Sequence, residues 1–270
     1  MVQIIRRFFS IYSAIAATAV KARLAYNLWV WADFFVTLGS MVIFVYFWRA
    51  VYANTTVLGG LTLGDTITYI LLARFLSPLI DTRMIFSFGF MLRNGQVAVE
   101  LIRPLDMQFR YLIETLAEVG VFIVQRLPIF FFAWLVLGMR LPKEPGLWLL
   151  FGVTLLLGQV VIFLFDWTFA CLSFYTTETW GLSVVRVGVG AFFSGSLVPL
   201  LLMPDWLQTT AAAMPFAQAM AVPISFLSGI STMADAPKLL LIQLIWIVGL
   251  LIASRWVFNV AIKRVTVQGG

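Results

Sequence analysis

Seven ionisable residues lie inside or beside the apolar blocks of this sequence: Arg74, Asp81, Arg83, Glu114, Glu118, Arg126 and Asp166. Charge at membrane depth is expensive, so such groups point first to an ion path, a proton relay or a substrate contact. Arg74 and Asp81 stand seven apart and share a helix face, and Glu114 and Glu118, four apart, share another. Paired across helices, Arg74 or Arg83 would neutralise Glu114, Glu118 or Asp166. Structural ion pairing, or placement near helix ends that water reaches, is the plainer reading. Proton coupling and contact with a translocated substrate are the alternatives.

Other chemistry is excluded by what is missing. The chain has no histidine, which removes histidine-based metal sites, triads and proton relays together. Its one cysteine, Cys171, lies in an apolar block, so there is no disulfide framework. Lys21, Lys143, Lys238 and Lys263 are followed by Ala22, Glu144, Leu239 and Arg264, so no Walker A loop exists. No metal site, cofactor or catalytic residue is expected on this chain. Any nucleotide chemistry belongs to another polypeptide.

The elements that must position these charges are membrane helices. The 270 residues are 62% hydrophobic and 11% charged, with mean hydropathy +1.00. That composition is polytopic and all-α. The net charge of +6 flanks the apolar blocks and sets orientation, so no nucleic-acid partner is inferred. Six spans are expected, at about 28–48, 66–88, 111–137, 147–174, 187–203 and 239–260. Before them, residues 3–23 read as an amphipathic helix in the interface plane, with Arg6, Arg7, Phe8, Lys21 and Arg23 toward the lipid bilayer surface. A signal peptide is the rival there, but Ser10, Tyr12 and Ser13 break its apolar region.

Residues 93–107 form the longest interruption in the first half. Asn94-Gly95 signals a turn, and Pro104 stops any helix begun at Gln96. Val97, Leu101 and Ile102 fall on one side, with Glu100 and Arg103 nearer the other. Such an element can dock a soluble partner; the plain alternative is an ordinary loop carrying Arg93 and Arg103. Residues 204–237 carry Pro204, Pro215, Pro223 and Pro237 with almost no charge. Their apolar runs are too short to cross, which fits half-length helices that dip in and return. Lysine and arginine divide ten (Arg6, Arg7, Lys21, Arg23, Arg93, Arg103, Arg110, Arg186, Lys263, Arg264) against four (Arg49, Arg140, Lys143, Lys238) between the two sides. The richer side is cytoplasmic, which puts both termini and 93–107 inside and 204–237 outside.

This order of elements resembles the permease subunit of a type-2 (ABC-2 family) ABC exporter. It lies near the bacterial daunorubicin-type drug-exporter permeases. The local matches are Gly95 through Leu105, Phe193-Ser-Gly-Ser-Leu-Val-Pro-Leu, Met203-Pro-Asp-Trp-Leu, Met214-Pro-Phe, and Pro223 with Leu227-Ser-Gly229. The resemblance implies a multi-pass protein of the bacterial cytoplasmic membrane working with two ABC ATPase subunits, which hold ATP and Mg. It implies a second permease, either another copy or a paralogue. Gln96, Val97, Glu100, Leu101, Arg103 and Pro104 would form the coupling helix. Gly195, Pro199, Pro204, Trp206, Pro215, Phe216, Pro223 and Gly229 would form a re-entrant outer gate. Spans one, two and five would line a path for a hydrophobic or amphipathic substrate (drug, lipid or peptide-like). An ion-coupled secondary transporter or channel, and a non-transporting scaffold, are the competing functions.

Overall fold

The computed structural model describes residues 2–24, 27–80, 84–176 and 178–264, with side chains described from residue 10 in the first helix and from 31 in the second. Asp81 and Arg83, and the side chains of Arg6, Arg7, Phe8 and Arg23, lie outside the described residues. Five helical stretches are long and apolar enough to cross a bilayer: Trp31–Asn54, Leu63–Arg93, Met107–Leu135, Pro145–Phe174 and Met233–Arg264. Among the described residues, Thr179–Phe193 is a shorter apolar helix.

The chain opens with α1 (Val2–Leu24), which packs along α6 (Met107–Leu135). Tyr12 is buried in that contact, its ring edge-on to Phe109 at 4.9 Å. Next comes α2 (Asn27–Val51), which carries phenylalanines, valines and tryptophans on every side and packs on α6 and on α3 (Leu63–Leu76). A two-residue hairpin joins α2 to α3, with Val57 opposite Thr62. Thr62 caps α3 reciprocally with Asp65.

The second crossing is broken. After α3 come a tight 3-10 turn at Ser77–Leu79, with Pro78 at its start, and then α4 (Met84–Arg93). The single span expected over 66–88 is therefore two helices, because Pro78 lacks the amide that would continue the ladder. A turn through Gly95 leads to α5 (Gln96–Leu101), shorter than the helix expected through Arg103. Asp106 then caps α6 by accepting from the Phe109 amide.

The scaffold helices are α6, α7 (Pro145–Ala170) and α12 (Ala236–Ala261). Pro145 and Pro237 sit in first turns, where a missing amide costs nothing. Trp167, fully buried, lies within 5.0 to 5.9 Å of Phe88, Phe258, Tyr111 and Phe163 and ties α4, α6, α7 and α12 together.

The fifth crossing differs most from its expected 187–203. Its helix, α8, runs Thr179–Phe193, so Arg186 is buried mid-helix rather than flanking a span. The helix stops before Gly195, whose φ of +77° suits glycine and where a Cβ would lie 2.4 Å from the Tyr69 hydroxyl. An irregular stretch with a 3-10 turn at Leu200–Leu202 follows. Three short helices then form an arch: α9 (Asp205–Ala213), α10 (Pro215–Ala219) and α11 (Ala221–Leu227). The arch dips beside α7. Gly158, midway along α7, faces α10 so closely that a Cβ there would stand 2.7 Å from the Gln218 carbonyl oxygen and 2.8 Å from Ala219 Cα.

Candidate functional site

Helix breaks expose carbonyls and amides that lipid cannot satisfy. In this fold, polar side chains from neighbouring helices fill that need. Arg126, on α6, donates to the Phe75 carbonyl at the end of α3 (2.9 Å) and to the Thr37 hydroxyl (3.0 Å). Arg186 donates to the Ile80 carbonyl, just past the 3-10 turn (2.8 Å). Arg74 donates to the Ser196 carbonyl in the irregular stretch after α8. Within the arch, Gln218 donates to the Ala212 carbonyl (2.8 Å) and Trp246 to that of Ala213 (3.1 Å). Gln243 donates to the carbonyls of Thr154 (2.9 Å) and Gln218 (2.8 Å).

Two of the arginines are also neutralised. Arg186 forms a two-pronged salt bridge with Asp166 at 2.5 and 2.8 Å, the side chains 2% and 3% exposed. Arg126 pairs with Asp33. Asp166, expected to pair with Arg74 or Arg83, pairs with Arg186, and Arg83 lies outside the described residues. Glu114 pairs with Arg110 at 2.8 Å, one turn before it on the same helix, not across helices. Arg74 makes no ion pair among the described residues, and its guanidinium rests over the Phe44 ring at 4.7 Å.

Beside these contacts lies a cavity of about 760 Å³. Its wall takes residues from α2, from both halves of the second crossing, from α6, α7 and α8, and from Ser196 and Leu197. Asp33, Arg74, Glu118 and Gln159 bring polar groups to an otherwise mostly apolar lining. No group of three or more metal-binding side chains forms among the described residues.

The other predicted residues fall into two separate places. At one end of the bundle α5 is held on α6, with Glu100 bridging Arg110 and Arg103, the latter at 3.1 Å. Val97 is buried, Leu101 is half-buried, and Gln96, Arg103 and Pro104 are exposed. Ile102 departs from its expected side: it is 81% exposed. The helix ends at Leu101, so the periodicity that grouped Ile102 with Val97 stops before reaching it. Lys21 of α1 is exposed. Asp106, near the same end, accepts from Arg255 as well as from the Phe109 amide. Burial pushes its carboxyl up, but those hydrogen bonds and the Arg255 charge outweigh it and hold the group below the ordinary carboxylate range.

The arch holds the remainder. Gly195, Pro199, Pro215, Phe216 and Pro223 are buried, whereas Pro204, Trp206 and Gly229 are exposed. Phe216 sits edge-on to Phe165 at 4.9 Å and beneath the Arg186 guanidinium at 5.3 Å, so the arch reaches the buried ion pair directly.

Sequence reasoning singled out Asp166 but missed Arg186, Asp33, Gln159, Gln218 and Gln243. A lone arginine in Val184-Val185-Arg186-Val187-Gly188 and a lone aspartate in Trp29–Val36 were signals of the same kind as Asp166. Among protein families, the chain matches the model described as ABC-2 family transporter protein over residues 38–269. Comparison with curated proteins gives no match.

Proposed function

This chain belongs to the ABC-2 family of transporter proteins, and on that premise we propose that it is the permease half of an ATP-driven exporter in the bacterial cytoplasmic membrane. Proteins of this family are transport membrane subunits that typically work with separate ABC ATPases. In this reading two ATPase subunits, carrying ATP and Mg, dock on α5, and α1 lies along the interface beside it with both termini cytoplasmic. A second permease, identical or paralogous, completes the path, and the α9–α11 arch gates its outer end. The substrate is hydrophobic or amphipathic.

One observation carries the docking assignment. The end of α5 and the residues after it expose Val99 and Ile102 beside the Arg103 charge, while Glu100 bolts the same short helix to the first turn of α6. An exposed apolar knob rimmed by charge is what a groove on a soluble partner would grip. Its rigid tie to a spanning helix lets a push on the tip move the bundle. Ion-coupled carriage is the weaker reading, because Asp166, Arg186, Asp33, Arg126 and Glu114 are already committed to ion pairs.

The test is purification of the tagged chain with its ATPase from native expression. Ile102→Asp changes a side chain that packs on almost nothing, so folding is preserved. It should cut ATPase recovery about tenfold or more, the effect of losing a central interface anchor. Arg103→Glu should do the same. Unchanged recovery together with unchanged transport in both variants would remove α5 from the coupling path.

A further inference from the structure

Helix α8 is fastened to the second crossing at two places. At its start Thr179 lies against α4, where Gly89 leaves so little room that a Cβ would stand 2.4 Å from the Thr179 methyl. About two turns further along, Arg186 holds the Ile80 carbonyl, shortly before α4 begins. A helix held at two points moves with whatever holds it; freed at one, it pivots. From α4 the chain runs through the Gly95 turn into α5.

The Arg186 guanidinium divides its nitrogens. Nε and Nη2 take the two Asp166 oxygens, which leaves Nη1 for the Ile80 carbonyl at 2.8 Å. Room for Nη1 comes from Gly190, one turn on in the same helix. A Cβ there would stand 2.7 Å from that nitrogen and 3.5 Å from two carbons of the Phe216 ring. Glycine weakens a helix interior; the contact it permits offsets that here. A methyl at 190 would displace the nitrogen on Ile80 and leave both prongs on Asp166. The other side of the same guanidinium rests on Phe216 of α10, 5.3 Å from the ring centre. One side chain thus touches the broken second crossing and the arch, through contacts tight enough to pass on a displacement.

We propose that Arg186 is the joint that carries a movement of α4 to the arch, and that Gly190 is a positioning residue that aims Nη1 at Ile80. The inference rests on the export reading for the source of the push, α5. The joint itself is measured on the chain alone.

Amide exchange read by mass spectrometry decides it. In the purified chain Gly190→Ala should speed exchange over both 84–93 and 215–227 about fivefold, the worth of one hydrogen bond, with 236–261 unchanged. Gly188→Ala adds the same methyl where, among the described residues, nothing lies within 4 Å, and should change neither segment. In the complex with the ATPase, Mg and a non-hydrolysable ATP analogue should alter exchange over 96–101 and 215–227 in the parent chain. Gly190→Ala should keep the response at 96–101 and lose most of that at 215–227, which a merely structural glycine would not do. Should that variant fail to fold, Phe216→Leu, which removes the ring beneath the guanidinium, should lose the same response. An effect confined to 179–193, an equal effect of Gly188→Ala, or a nucleotide response at 215–227 that survives in both variants overturns the joint. A parent chain whose α5 responds while its arch does not overturns it too. Absence of an ATPase from the complex, or of any response at α5, would sink the export reading, and exchange in the chain alone would still decide the joint.

Discussion

Helices α6, α7 and α12 cross without interruption, whereas the second and fifth crossings break midway, at Ser77–Ile80 and at Ser194–Met203. The unbroken set keeps its helical ladders, apart from the amide that Pro128 removes within α6, and packs by apolar contact around Trp167. The broken set needs donors from its neighbours, and Arg126, Arg186 and Arg74 supply them. Position explains most of the buried charge, then. These arginines stand where carbonyls come free, and two carboxylates stand where an arginine must be neutralised. What remains after that accounting is Arg74, the one clamp without an ion-pair partner among the described residues, and it faces the cavity.

The sharpest way to break this contrast is to remove one side of the buried pair. Arg186→Met takes from the buried Asp166 its two-pronged partner and from the Ile80 carbonyl the arginine donor. A loss of about 3 to 5 kcal/mol is expected, read as a large drop in thermal stability of the purified protein. Adding Asp166→Leu should recover most of it, since replacing both charges by apolar groups is often neutral. No recovery would mean that the clamp on Ile80, and not neutralisation, is what matters.

A smaller effect tests the seam between the two sets. Gly158→Ala places a methyl against the backbone of Gln218 and Ala219, not against a side chain that can swing away. Overpacking of this kind costs about 1 to 3 kcal/mol. The signature should be local: faster amide exchange over 215–227, with α12 unchanged. Uniform loosening of the whole bundle would show that the arch belongs to the scaffold.

The smallest effect lies outside the bundle core. The Asp106–Arg255 pair is nearly half exposed on both sides, so it is worth under about 1 kcal/mol. Asp106 is held below the ordinary carboxylate range, so its contribution is complete at neutral pH. It is lost as acidification carries the pH down through that lowered value. Arg255→Gln should therefore lower the melting temperature slightly near pH 7 and flatten its acid-side decline, so that the two proteins converge at low pH.

Much of this architecture was legible from residue types. Apolar block lengths placed five crossings close to their helices, and the prolines of 204–237 announced short helices before any packing was known. Pro78 lay in plain view but was read through, because one proline in a long apolar block also fits a kinked helix. Arg186 was placed in a loop for a related reason: a single positive charge beside a polar run reads as a membrane flank. Only the fold brings Asp166 opposite it, in a helix that begins at Thr179. The glutamines carry no signal at all in sequence. Gln159, Gln218 and Gln243 are ordinary polar residues until the arch and the cavity give them carbonyls to meet, or none.

The bidentate Asp166–Arg186 pair also has an electrical meaning. Moving one unit charge through a potential of 100 mV is worth about 2.3 kcal/mol. Asp166 and Arg186 sit side by side on α7 and α8, so a shift of those helices together carries a cation and an anion through the field at once. The work cancels. Rocking of this part of the bundle is electrically silent, and its rate should stay the same when the membrane is depolarised.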